Sequence, residues 1–418
     1  DFSSAAFNID IASDSNLTAQ GFSNLDASAS STSGDATAAA GYTNDSTTED
    51  GADASVTGIA SGMSIDVGGV SNLMAQAQGT ADSSASSVTG LAQSDSGMDA
   101  MGIADLQMNV SSDSDLSSTS AVIGSADGES TSGAATADID FDATGINGID
   151  MNIGGIGSLA STASVNGSSD ATNVGAAADP TDPMALVADL GSTATGDLDA
   201  TGLNSAHLFS SSDGDVSGIA TIAGSINAES TAGDGLADGD FDADGITSLE
   251  MGAGGLFDLA GQAQVNADVS ASSVSGTADA FSGDDNLDGS ISNTEASTIK
   301  GLSAIEADGA SDGTILGTAF GDFSTSAEST GANATANAAQ SLTGIDSANI
   351  DFGGVGSISA IAQDSNFVEA SSVSGNASAT ASVDAIGLNS GDIHIASDAV
   401  LTSSVSVDSA ADSSTVGA

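Results

Sequence analysis

Apolar and polar residues alternate along most of this chain with a period of two. Ile65, Val67, Leu73, Ala75 and Ala77 fall on one face, with Ser, Asp, Met and Gln among the residues between them. Successive side chains of a strand point to opposite faces, so this alternation marks half-buried β-strands. Helical spacing at i, i+3 and i+4 is not sustained over any long stretch. The fold class expected is all-β.

The alternation sits inside a longer repeat. A Gly followed by Ile or Leu recurs at Gly58, Gly102, Gly145, Gly202, Gly245, Gly301, Gly344 and Gly387, in steps of 43 or 44 residues broken by one step of 57 and one of 56. Units of two kinds alternate. One kind carries a double Gly (Gly68-Gly69, Gly154-Gly155, Gly254-Gly255, Gly353-Gly354) and later a Val and a Gly, as in Val88-Thr89-Gly90. The other carries Ser-Asp at Ser112-Asp113, Ser212-Asp213, Ser311-Asp312 and Ser397-Asp398. Phe7-Asn8-Ile9-Asp10-Ile11 reads like Ile393-His394-Ile395, so the N-terminal stretch belongs to the second kind. With roughly three short strands per unit, the expected fold is a repetitive β-solenoid of about nine coils of ~43 residues. It would form a single repeat domain over residues 1–418. Tandem β-sandwich domains of about 100 residues, one per pair of units, are the alternative.

The two long steps are read as insertions following the Val and Gly, at about 176–201 and 277–300. The first holds both prolines, Pro180 and Pro183, and runs to Gly191. Pro near the start and Gly at the end predict a short helix. The second holds Asp284-Asp285-Asn286-Leu287-Asp288-Gly289-Ser290-Ile291-Ser292-Asn293-Thr294-Glu295. Asp284, Asn286 and Asp288 stand where a calcium loop places side-chain oxygens, and Gly289 stands at its sharp turn. Ser290 would give its backbone carbonyl, Ser292 would act through water, and Glu295 would close the site as a bidentate ligand. The segment resembles the calcium loops of EF-hand and dockerin-type modules, which implies calcium as the bound ion. Asp240, Asp242 and Asp244 repeat the first half of this pattern, and Asp138, Asp140 and Asp142 hold the related place one unit pair earlier. Those two runs read first as the alternating outer face of a strand.

Charge narrows the partners. The chain has 58 acidic residues against a single Lys and no Arg, for a formal charge of −57. Nucleic acid is excluded as a partner because phosphate binding needs basic side chains, and an anionic membrane surface is excluded by the same sign. Divalent cations suit such a surface. No apolar stretch approaches the ~20 residues of a membrane span, so no membrane insertion is expected. There is no Cys. The chain begins at Asp1 without Met, which is read as a processed form and an extracellular or cell-surface location.

Catalytic chemistry finds little material. The residues suited to proton transfer at neutral pH are Lys300, His207 and His394. No nucleophile elbow, phosphate loop or zinc spacing occurs. The expectation is a non-enzymatic structural subunit of a self-assembling extracellular filament, sheath or surface layer, calcium-stabilised, whose partners are copies of itself. The alternative is a calcium-rigidified adhesin or stalk segment. In composition the chain is similar to low-complexity β-strand-repeat surface proteins of bacteria, which implies the same setting.

Overall fold

The computed structural model describes residues 7–41, 54–174, 191–283 and 296–416. Among them the chain winds into nine stacked coils with every paired strand parallel. Two sheets face each other. One has nine strands, all 17 residues long, from Ser15–Ser31 to Ala399–Thr415. The other contains 19-residue strands, among them Ala92–Val110, Ala135–Ile153, Ser192–Ser210, Gly235–Ala253 and Ala334–Phe352. A 19-residue strand, the turn 111–113, a 17-residue strand and the turn 131–134 complete one repeat, so that Ala92 pairs with Ala135. Each coil thus holds two long strands where three short ones were expected. The β-sandwich alternative falls with the same observation, because each unit pairs in parallel with the next. The coil is ~60 Å wide and the stack ~40 Å tall.

The repeated Gly explains why the strands read as shorter. It lies inside the long strand, not at a turn. At six of these glycines a Cβ would meet backbone of the facing sheet, and at Gly102 and Gly387 it would meet the Ser118 and Ser403 side chains. A Cβ on Gly245 would come 2.5 Å from the Gly301 carbonyl in the next coil and 2.6 Å from the Gln262 N in the facing sheet. The facing column is correspondingly small, running through Ala75, Ser118, Ser161, Gly218, Gly261, Gly317 and Ala360. Ser118 Oγ donates to the Gly145 carbonyl across this waist at 2.6 Å. Three residues past the waist the backbone turns left-handed, at Asp105, Ser205, Ser248, Ala304 and Ser347, with φ between 51° and 57°. That kink restores the inward phase, so Ile103, Leu106 and Met108 are all buried.

The waist divides the interior into two cores. One is rich in Ile, Leu and Met, including Ile65, Ile146, Leu203 and Met251. The other is rich in Ala, with Phe141, Phe241 and Phe323 filling the wider places. Phenylalanine fits there because the facing residue is glycine: a Cβ on Gly124 would lie 2.7 Å from the Phe141 ring. Each buried Ile or Leu contributes about 1.5–3 kcal/mol from its apolar area.

The two kinds of unit are two kinds of turn. Asp113 Oδ1 accepts from the N–H of Ile156 in the next coil at 2.9 Å, and Asp14, Asp213 and Asp312 accept likewise from Val70, Leu256 and Val355. The second Gly of each double Gly leaves room for that carboxylate. At the opposite edge Ser130 Oγ accepts from Gly133 N at 2.8 Å and donates to the Gly90 carbonyl at 3.0 Å.

The ladder also fixes where the extra residues enter. The first insertion falls in the turn between Val174 and Gly191, and residues from Ser192 onward are strand. The second falls within a strand, between Ala278–Ser282 and Ser297–Gly309. The two therefore enter at different places. A further insertion, not marked by any long step, separates Ala36–Ala40 from Ala54–Ile59 at the same point of the coil as the second. The expected helix over 180–191 and the loop 284–295 lie outside the described residues, apart from Gly191.

The waist gives a test. Gly245→Ala should destabilise the protein by about 3 kcal/mol or more, as overpacking against backbone leaves no side chain to move. Gly309→Ala should change stability by less than about 0.5 kcal/mol, because its Cβ would meet nothing nearer than 3.4 Å. Urea unfolding of both variants checks the pair.

Candidate functional site

The long-strand sheet carries a file of aspartates on its outer face. Parallel pairing without slippage places Asp95 beside Asp138, and Asp99, Asp142, Asp199 and Asp242 in one column. The column beside it holds Asp140, Asp197 and Asp240. Neighbours in a column are ~4.8 Å apart along the stack, and residues i and i+2 share the face. The file therefore forms a two-dimensional grid of carboxylates over four coils. Both mid-strand insertions enter beside it: 42–53 between residues in register with Ser96 and Met98, and 284–295 beyond Ser282, which pairs with Gly239.

Crowding changes the protonation of the grid. Lost hydration, then repulsion from Asp197, Asp142, Asp242 and Asp240, pushes Asp199 up to about 9. The same causes, with Asp240 the first of the charges, raise Asp197 to about 7. Lost hydration and the charges of Asp99 and Asp140 raise Asp142 to about 6, opposed by its hydrogen bond with Asp199. The tips of Asp142, Asp197 and Asp199 still reach water, so screening tempers the effect. Asp142 and Asp199 act as one pair that holds a shared proton at neutral pH.

The rim of the grid is hydrogen-bonded. Asp138 Oδ1 accepts from Thr195 Oγ1 at 2.5 Å, and Asp242 Oδ1 accepts from the Thr298 N–H at 2.6 Å. Lys300, the one Lys of the chain, is in register with Asp244. Burial raises Asp244 to about 6, against the pull of Lys300. Among the described residues no three or more His, Asp or Glu side chains converge as a metal site. The grid concentrates negative potential without a preformed chelate.

Sequence reasoning singled out Asp138, Asp140, Asp142, Asp240, Asp242 and Asp244, and the fold places these two runs on either side of a single coil. It missed Asp197 and Asp199, which lie between them, because the insertion before Gly191 hides their register. Asp284, Asn286, Asp288, Ser290, Ser292 and Glu295 lie outside the described residues. The two histidines stand on the outer face of the same sheet. His394 Nδ1 lies 3.0 Å from Asp351, and His207 Nε2 lies 3.8 Å from Glu250.

The sign of the pH response follows from the upward shifts. A carboxyl whose folded pKa is raised contributes stability that is full below about pH 4 and lost as pH rises through the folded value. With chelator present, the melting temperature should fall as pH rises from about 5 to 9, the window spanned by Asp142, Asp197 and Asp199. Asp199→Asn should flatten that slope while melting at or above wild type at pH 9. Thermal melts of the two proteins across the window provide the check.

Comparison with family models, curated proteins and solved structures finds no match for this chain.

Proposed function

We propose that this protein is a non-enzymatic structural subunit, secreted or displayed at a cell surface, that assembles with copies of itself and is stabilised by calcium. The observation that carries this reading is the stack itself. Coil after coil pairs in parallel with its neighbours along whole strands, so that Ile358 and Ala362 are at most 1 % exposed between the coils on either side. A repeat that buries its core by stacking like units can extend by the same contact between copies, which need not close.

Calcium enters by two routes. The loop Asp284 to Glu295 offers the ligand pattern of a coordinating site. The aspartate grid beside its point of entry supplies the potential that draws cations in. A net charge of −57 opposes association of copies until it is neutralised, so assembly should depend on divalent ions.

The stalk or adhesin segment is the second reading. Asp turns alternate with double-Gly turns through the described stack, and Asp14, Asp113, Asp213 and Asp312 each accept from a backbone N–H of the next coil, which ties the coils into one stiff spacer.

Electron microscopy with millimolar calcium, and after chelation, separates the two. Filaments or sheets that dissolve on chelation support the assembling subunit. Single rods under both conditions overturn it in favour of the stalk. Independently, Glu295→Ala should remove one calcium site by isothermal titration, and an unchanged number of sites would overturn the loop assignment.

A further inference from the structure

The Ala-rich core changes character in a single coil. One column runs through Met98, Phe141, Leu198 and Phe241 and arrives, by way of Ser297, at Gln340. In the facing sheet a column of Val122, Val165, Ile222 and Val265 passes through Gly321 to Asp364. Two residues along the same face stands Asn366. Three apolar or empty positions are thus replaced together by an amide, a carboxylate and a second amide.

All three are sealed from solvent, at 2 % exposure each. Asn366 Nδ2 donates to Gln340 Oε1. Both oxygens of Asp364, Oδ1 of Asn366 and Nε2 of Gln340 have no hydrogen-bond partner. A buried carboxylate with neither oxygen engaged is costly, and native interiors rarely leave one so. Space beside it is preserved by Gly321 in the adjacent coil, where a Cβ would come 2.8 Å from Asp364 Oδ1.

We propose that Asp364, Asn366 and Gln340 form an internal site for a monovalent cation of the sodium or potassium class. The unpartnered acceptors are oxygens, which select hard alkali or alkaline-earth ions over transition metals. One carboxylate balances one positive charge. A divalent ion would bring an uncompensated charge into the core, and calcium usually takes several carboxylates among six to eight oxygens. Burial, followed by repulsion from Asp322, raises Asp364 to about 7, so a proton is the competing occupant below that pH.

The test uses the full chain at pH 8.5 with chelator. Wild type, Asp364→Val and Asp364→Asn are melted in sodium, potassium and tetramethylammonium chloride at equal ionic strength. Valine is the residue four other coils already place in this column, at Val122, Val165, Val265 and Val407. The expected result is a wild-type melting temperature about 2–4 °C higher in sodium or potassium than in tetramethylammonium, with no such difference in either variant. Asp364→Asn keeps the shape of the site should valine disturb the coil. Two results would overturn the proposal. One is an equal response to all three cations in wild type. The other is the same sodium or potassium increment in the variants, which would assign it to the outer carboxylates.

Discussion

In a parallel ladder without slippage, each residue lies ~4.8 Å from its counterpart one coil away, 43 positions earlier wherever no insertion intervenes. A side chain must therefore be compatible with a near copy of its own position above and below. The backbone gains from this, because the N–H and C=O groups along both strands pair with adjacent coils. The side chains carry the constraint. In the core it favours Ala, Val and Ile columns, with Phe141 and Phe241 where Gly124 and Gly224 open the facing sheet. At the waist it requires glycine at successive levels, because a Cβ there would meet both the next coil and the opposite sheet. At the turns it produces an alternation: an Asp needs a neighbour without a side chain, and so a double Gly follows.

Much of this was legible in the sequence because repeats expose columns directly. The number of coils, the all-β class and the inward face of Ile65, Val67, Leu73, Ala75 and Ala77 are all recovered by the fold. The number of strands per coil was not. Glycine in a strand ordinarily signals a break or bulge, and here the waist Gly and the left-handed residue three positions later interrupt the period-two pattern without ending the strand. The insertions were only half legible. A long step shows that residues were added, but not where, and the extra segment at 42–53 left no trace because no Gly-Ile pair precedes it. The aspartate grid suffered from the same gap, since Asp197 and Asp199 sit just after the insertion whose length conceals their register.

The outer grid and the inner trio are two responses to one difficulty. Stacked carboxylates repel over a distance too short for water to separate them fully. On the outer face the repulsion is spread: Asp142 and Asp199 share a proton, Thr195 and Thr298 donate to the rim, and Lys300 stands at the far end. Bulk counter-ions complete the neutralisation, so the face responds to salt and pH as a whole. In the interior no counter-ion atmosphere exists, and a single carboxylate, Asp364, must be matched locally.

That difference bears on how a chain with a formal charge of −57 holds a compact form. Two flat sheets place most acids on outer faces or at turns, where their charges are hydrated and where Asp14, Asp113, Asp213 and Asp312 each bind a backbone N–H. The grid favours the protonated or cation-neutralised form. Acid should therefore relieve the face, as should a cation bound there. The proposed assembly rests on that same relief of the face by divalent cations.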